Sequence, residues 1–245
     1  MVFPPVVAYA AYKGLHQTLG VCFAVVALGY SFPPSFKGFT FLKDFYIAHC
    51  FSPFKKVTRH MEFLPSKETP SIMLYHPHGM FSWGFANAGA WNSFYYNSGV
   101  VGLVADALCH APVFRFWFVK CLGGLGPASK GSFVACLTAR RSFGLIPGGF
   151  HEATIASPGS DRVFLKDRKG FVKYALQHGF ALTPVYTFGE NELYDNPEGL
   201  WKLRWCLNDL KIPAILPVGR WYVQRGGTSC VCEKSNVQPT NSLFV

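Results

Sequence analysis

From Ser71 onward, short apolar runs alternate with segments of helical spacing. Residues 71–75 are apolar and lead into His76-Pro77-His78-Gly79, the pattern of a strand entering a turn. Residues 100–104, β-branched and punctuated by glycine, predict a second strand, and 143–146 a third, stopped by Pro147-Gly148-Gly149. The aromatic stretch 113–122 ends at Gly123-Gly124, as a helix does. In 168–178, Phe171, Val172, Ala175 and Leu176 share one face while Lys169, Lys173 and Gln177 take the other, a helix with Gly179 as its C-cap. A strand at 181–188, a helix at 201–210 and a strand at 214–218 continue the series. Strands alternating with helices predict an α/β domain, its mixed or mostly parallel sheet flanked by helices.

The N-terminus has a different texture. Between Lys13 and Lys37 there is no Asp, Glu, Lys or Arg, and apolar runs occupy 2–12 and 19–30. Neither run reaches the roughly 20 residues of a spanning helix. Residues 15–32 spanning a thinned bilayer, a re-entrant hairpin of the two runs and a buried core helix all remain open. A cleaved signal peptide is disfavoured, because the first positive residue is Lys13, inside the apolar stretch. Lys37, Lys43, Lys55, Lys56 and Arg59 follow against Asp44 alone, a bias toward the cytosolic side of an anionic leaflet.

Composition sharpens this picture. Half of the 245 residues are hydrophobic, 17% are aromatic and only 15% are charged, against about 25% charged in ordinary soluble domains. The formal charge is +10. A basic, aromatic-rich chain suits nucleic acid, an anionic membrane or an acidic ligand. Zinc-finger spacing, RNP-like segments and basic helices are missing, so nucleic acid is set aside in favour of a membrane surface and a phosphate-bearing ligand. The eight cysteines form neither a C-x-x-C pair nor a disulfide framework, which points to reduced thiols.

Three segments carry candidate chemistry. A histidine in His76-Pro77-His78-Gly79, at a strand's end, can sit at the rim of a sheet where α/β proteins bind ligands. With an ordinary pKa near 6.5 it can take a proton from a hydroxyl and return one to a leaving group. Alternatively, both imidazoles cap backbone groups. A metal site needs further ligands, and His110 and His151 lie in unrelated contexts. In Pro147-Gly148-Gly149-Phe150-His151-Glu152, the paired glycines let backbone amides approach an oxyanion or phosphate. Glu152 either orients a histidine or lies solvated at a helix start. Arg168 and Lys169 open a helix, where they meet an anionic group or form its solvent face.

Together these segments resemble the type 2 diacylglycerol acyltransferase family, which includes monoacylglycerol and wax-alcohol acyltransferases. His76-Pro77-His78-Gly79 is similar to the family's His-Pro-His-Gly signature, and Pro147-Gly148-Gly149 with Glu152-Ala153 to its Pro-Gly-Gly-x-x-Glu-Ala block. The run from Arg168, Gly170 and Phe171 through Pro184-Val185-Tyr186 to Gly189-Glu190-Asn191-Glu192 is similar to its longest shared stretch. The resemblance covers about residues 39–220. It implies acyl transfer from acyl-CoA to the hydroxyl of a neutral glycerolipid, diacylglycerol first, or of a long-chain alcohol. It further implies the endoplasmic reticulum membrane or lipid droplets, no metal or redox cofactor, and possible homo-oligomers. The fold implied is that of the glycerolipid acyltransferases with an N-terminal membrane helix or hairpin.

On this resemblance His78 is the general base, His76 assists it, and Glu152 or Glu190 orients the imidazole. Amides of Gly148 and Gly149 hold the oxyanion. Arg140, Arg141 and Arg168 meet the CoA phosphates. Pro77, Gly79, Pro147, Gly170, Phe171, Glu190 and Asn191 complete the substrate-binding set. Three departures are visible. Trp83 stands five residues after His78, where a His-x4-Asp pair needs its acid. Phe51-Ser52-Pro53 is the nearest counterpart of the family's Tyr-Phe-Pro. The stretch after Gly219-Arg220 is rich in Gly, Ser, Thr and Cys rather than apolar strands. The expected organisation is a membrane segment at 1–36, an acyltransferase domain at 37–220 and a divergent, truncated or replaced tail at 221–245. An inactive lipid-binding relative is the competing reading.

Overall fold

The apolar run at 71–75 forms β2 (Ser71–His76), and its place in the sheet explains its composition. Met73 and Tyr75 belong to one buried cluster with Phe85, Leu122 and Val185, while Ile72 and Leu74 belong to another with Leu103, Phe143 and Phe180. Successive side chains of a strand point to opposite faces, so β2 is covered on both. A strand buried on both faces reads as a continuous apolar stretch rather than an alternating one.

These are features of a computed structural model, which describes residues 8–9, 12–14, 16–31, 39–49, 56–61, 66, 68–86, 99–216, 218 and 228–233. The other strands are β1 (Lys56–Met61), β3 (Val101–Val104), β4 (Leu125–Pro127), β5 (Phe143–Leu145), β6 (Ala181–Thr187) and β7 (Thr228–Glu233). The sheet order is β1-β7-β6-β2-β5-β3-β4. β6, β2, β5, β3 and β4 form a parallel five-stranded core. β7 runs antiparallel to β6 and parallel to β1. It comes from the stretch beyond residue 220, so part of the expected tail belongs to the sheet. Helices flank the core: α1 (His16–Ser31), α2 (Thr40–His49), α3 (Asp106–His110), α4 (Pro112–Phe114), which widens into a π-helical segment (Arg115–Leu122), α5 (Lys130–Thr138), α6 (Gly149–Ile155), α7 (Gly170–His178) and α8 (Trp201–Asp209).

The expected α7 is present with Gly179 in the left-handed conformation at its end (φ 65°, ψ 39°), where its N–H donates to the Ala175 carbonyl. The expected strand at 214–218 is not formed: Val218 makes only an isolated antiparallel bridge with Asp195. Its backbone groups go elsewhere. The Ala214 N–H donates to Asn208 Oδ1, the Ala214 carbonyl accepts from Arg204 Nε, and the Leu216 N–H donates to Asn196 Oδ1. Pro213 and Pro217 lack the N–H groups a ladder needs.

Arg204, 3% exposed, is the centre of that network. Its guanidinium donates to the carbonyls of Thr154, Pro197 and Ala214 and to Asn196 Oδ1. It thereby ties α8 to the end of α6, at the edge where the candidate site lies.

Among the described residues no helix is long and apolar enough to cross a membrane. The 16 residues of α1 extend about 24 Å at 1.5 Å each, short of the ~30 Å hydrocarbon core. α1 instead packs on the π-helical segment. A Cβ on Gly29 would sit 3.4 Å from the Pro112 carbonyl, the Gly29 carbonyl accepts from Arg115 Nε at 2.8 Å, and Tyr30 donates to the His110 carbonyl. Most of the run at 2–12, and Phe51-Ser52-Pro53, lie outside the described residues.

Candidate active site

β5, β2 and β6 are adjacent and parallel, so their carboxyl ends open on one edge of the sheet. Each of the three motif segments leaves one of these ends: His76-Pro77-His78-Gly79 from β2, Pro147-Gly148-Gly149 from β5, and Gly189-Glu190-Asn191 from β6. Segments far apart in the chain therefore meet where open α/β sheets place their ligands.

Glu152, on α6, is fully buried beneath the histidine turn. Its Oε1 accepts from the His78 backbone N–H at 2.7 Å and lies 3.4 Å from His76 Nδ1, while Oε2 accepts from the Phe164 N–H at 3.1 Å. Burial pushes this carboxyl up. The His76 hydrogen bond and charge, with the two backbone donors, outweigh it and hold the group below the usual carboxylate range. Glu152 is thus a carboxylate that anchors the turn, not a solvated helix-start residue. It meets the ring of His76 and the backbone of His78.

The partly buried ring of His78 is set by its own turn. Nδ1 lies 2.8 Å from the Gly79 carbonyl oxygen, which can only accept, so Nδ1 carries the proton and Nε2 the lone pair. Ser82 Oγ lies 3.1 Å from Nδ1 and 3.4 Å from Nε2. Burial lowers the imidazole's pKa below its ordinary value, against the upward pull of the Gly79 carbonyl and Glu152. The ring is neutral at neutral pH, with a basic nitrogen at the rim of the sheet.

Glu190, 2% exposed, does not reach either imidazole. Its oxygens accept from the backbone N–H groups of Trp83 (3.0 Å) and Gly84 (2.7 Å). Burial pushes it up to about 8, while the Gly84 and Trp83 donors pull it down. It fixes the segment after the histidine turn rather than a ring. Both glutamate side chains also dictate glycine in the motifs. A Cβ on Gly79 (φ +58°) would lie 2.5 Å from Glu190 Cγ and Oε1, and one on Gly148 would run into the Glu152 side chain.

The remaining candidates separate. Pro77 is buried within the turn, after a cis peptide bond, and Pro147 lies between β5 and α6. The Gly149 N–H donates to the Ile146 carbonyl, so it is committed to the turn rather than to an oxyanion. Gly170 begins α7, and Phe171 packs against the core cluster around Ile72 and Phe143. Exposed Arg168 donates to His151 Nδ1 at 3.0 Å and lies over the Phe164 ring, close to α6. Arg140 and Arg141 precede β5, at the opposite edge of the sheet from the histidines, and Arg140 reaches the Glu68 carbonyl. Asn191 is buried beside Glu190 and bonds the Ser160 carbonyl. Ser82 was not among the expected residues; its position four after His78 and its positive φ of 56° are the signals that mark it.

At the carboxyl edge of its strands this α/β sheet presents a neutral imidazole, on a turn whose backbone a buried carboxylate holds, and such a ring has a nitrogen able to accept a proton. The profile of the diacylglycerol acyltransferase family matches residues 37–229, and the chain belongs to that family. It is 38% identical over 136 residues to "Diacylglycerol O-acyltransferase 2" of Dictyostelium discoideum, covering 52% of this chain and 41% of the relative. The same-named protein of Xenopus tropicalis is 37% identical over 169 residues (62% of this chain, 44% of the relative). "2-acylglycerol O-acyltransferase 1" of Bos taurus is 36% identical over 145 residues (53% and 42%). The chain thus spans less than half the length of these curated relatives. No solved structure matches it.

Proposed function

We propose that the protein is an acyl-CoA-dependent O-acyltransferase that esterifies diacylglycerol to triacylglycerol, with His78 as general base. The observation that carries this reading is the His78 ring, with Nδ1–H tied to the Gly79 carbonyl and Nε2 left basic at the rim. Nε2 takes the proton of the acceptor hydroxyl as its oxygen attacks the thioester carbonyl. The tetrahedral intermediate collapses, the C–S bond breaks, and the CoA thiolate recovers the proton. Glu152 supports His76 and the turn. Of the paired glycines, the Gly148 amide is the remaining oxyanion candidate, and exposed Arg168, which contacts His151 on α6, is the candidate for the CoA phosphates. Relatives named for diacylglycerol and for 2-acylglycerol both match, and monoacylglycerol and long-chain alcohols offer the same hydroxyl chemistry. Expression in cells lacking neutral-lipid synthesis tests the reading: triacylglycerol accumulates. Membrane association without ester formation on any acceptor would instead mark an inactive lipid-binding relative.

We place this chemistry on a membrane surface, as the resemblance implies for the cytosolic face of the endoplasmic reticulum or lipid droplets. α1 and α2 each pack on the π-helical segment, with the Phe39 N–H donating to the Cys121 carbonyl and Arg115 donating to Gly29. Their outer sides expose Val21, Phe23, Phe41, Phe45, Val113 and Trp117. Large apolar residues crowded onto neighbouring elements mark an interaction face. Each buried Phe contributes about 1.5–3 kcal/mol. Changing Phe23, Phe41 and Phe45 together to Ser is expected to lower vesicle flotation at least tenfold; unchanged flotation would remove this face from the account.

A further inference from the structure

Exposed Arg168 is held by an imidazole that has no part in the proton transfer. Its Nη2 lies 3.0 Å from His151 Nδ1. A guanidinium can only donate, so Nδ1 carries the lone pair and the single N–H of a neutral ring sits on Nε2, 3.4 Å from Asp209 Oδ1. The tautomer is thus set from both sides. Burial and the Arg168 charge lower the His151 pKa, Asp209 raises it and Lys211 lowers it. These are the charged groups that face the ring, from the segment before α7 and from the end of α8 and just beyond. The net direction is down, so the ring is neutral at neutral pH and Nδ1 is free to accept.

Aromatic packing fixes both partners. The His151 ring lies nearly parallel to Phe164 (4.9 Å, 14°) and to Trp205 (5.0 Å, 28°), and those two rings are 5.7 Å apart. The Arg168 guanidinium lies over the Phe164 ring at 5.5 Å. One hydrogen bond to Nδ1 occupies one of its five N–H groups, and the side chain is open to solvent, so donors remain for an anion. The cluster adjoins the histidine turn. The Phe164 N–H donates to Glu152 Oε2, and Glu152 Oε1 accepts from the His78 N–H.

We propose that His151 is a positioning residue whose Nδ1 lone pair holds the Arg168 guanidinium as a phosphate clamp beside the histidine turn, an inference that rests on the acyl-transfer reading above. An arginine fork matches phosphate oxygens in pairs. The phosphate comes either from CoA, at the far end of the pantetheine arm, or from a lipid headgroup. Protonating His151 removes the acceptor and sets a second cation against the guanidinium, so the hold on Arg168 is lost in acid.

The test uses the full chain in membranes with diacylglycerol, and compares oleoyl-CoA with oleoyl-pantetheine, which keeps the thioester and its amides but has no phosphate. His151→Phe keeps a ring against Phe164 and Trp205 without the acceptor; His151→Asn offers an oxygen near the place of Nδ1 without the ring. For oleoyl-CoA, KM is expected to rise roughly tenfold in Arg168→Ala and roughly 3- to 10-fold in His151→Phe, with kcat little changed and KM for oleoyl-pantetheine unaltered. Asn should raise KM less than Phe while lowering thermal stability more. In the Arg168→Ala background, His151→Phe should add nothing, because it acts through that arginine. Below pH 6.5 the ratio of the two KM values should climb more steeply in the unaltered protein than in His151→Phe, the His78 titration being common to both substrates. A shift confined to oleoyl-CoA identifies the CoA phosphates. Both KM values unchanged, with weaker flotation of His151→Phe on phosphatidic acid vesicles, identifies a headgroup. Should Phe fail to accumulate, His151→Leu replaces it. Additive effects in the double variant, KM values that follow the stability order or rise equally for oleoyl-pantetheine, or KM and flotation both unchanged overturn the inference and leave His151 to packing. Any of these, in an enzyme still dependent on His78, leaves the acyl-transfer reading standing; full turnover by His78→Ala would sink that reading instead.

Discussion

Replacing Glu152 with Ala is expected to cost about 3–5 kcal/mol of folding stability, the range for removing one partner of a buried charged cluster. The carboxylate is fully buried and serves the backbone N–H groups of His78 and Phe164 and the ring of His76. Its removal strands two buried donors, at about 1–3 kcal/mol each, and opens a cavity beneath the turn. Glu152→Gln keeps the volume and one acceptor oxygen but turns an amide NH2 toward a donor, so an intermediate loss is expected. Activity should fall with both, because the His78 backbone is one of the groups released. The pH dependence has a definite sign. The Glu152 pKa is lowered in the folded state, so its contribution is complete above the ordinary carboxylate value of about 4.3 and fades as pH falls through the folded value. Denaturation followed between pH 7 and pH 3 should show a loss of stability in acid that is smaller in Glu152→Gln. Equal acid sensitivity in the two proteins would mean that the carboxylate is not held as described.

The second large effect concerns His78. Removing a general base typically costs about 10²–10⁴-fold in rate. His78→Ala loses the Nε2 lone pair while leaving the backbone N–H that Glu152 holds, so the fold is expected to survive. Since burial lowers the His78 pKa, the neutral ring persists below pH 6.5, and the acid limb of kcat/KM is expected below that value rather than above it.

How much of this was legible in the sequence varies by element. β2, β5 and β6 could be read because buried parallel strands are plain apolar runs closed by turn residues, and α7 because its two faces differ and a glycine ends it. β4, at three residues, is too short to show a period. The run at 214–218 looked like a strand because apolar content says nothing about where backbone groups bond, and here they bond to Arg204, Asn208 and Asn196. The site's ingredients were visible as motifs, but their pairing was not. Nothing local to Glu152 reveals that it lies under a turn 74 residues earlier, and that follows only from β5 lying beside β2. The acid missing from the His-x4-Asp position has no counterpart on the His78 ring among the described residues, where the Gly79 carbonyl and Ser82 stand instead. At Trp83 the backbone N–H is held by Glu190, and the carboxylate under the histidine turn comes from α6. Arg140 and Arg141 share their charge with Arg168, but they precede β5, which is parallel to β2, and so lie at the opposite edge of the sheet from the histidines.

The most direct measurement is transfer of labelled oleate from oleoyl-CoA to diacylglycerol by microsomes carrying equal amounts of the unaltered protein or His78→Ala. A fall of about 10²–10⁴-fold, with membrane association preserved, is the predicted result. Turnover by the alanine variant at the unaltered rate would contradict the account at its centre.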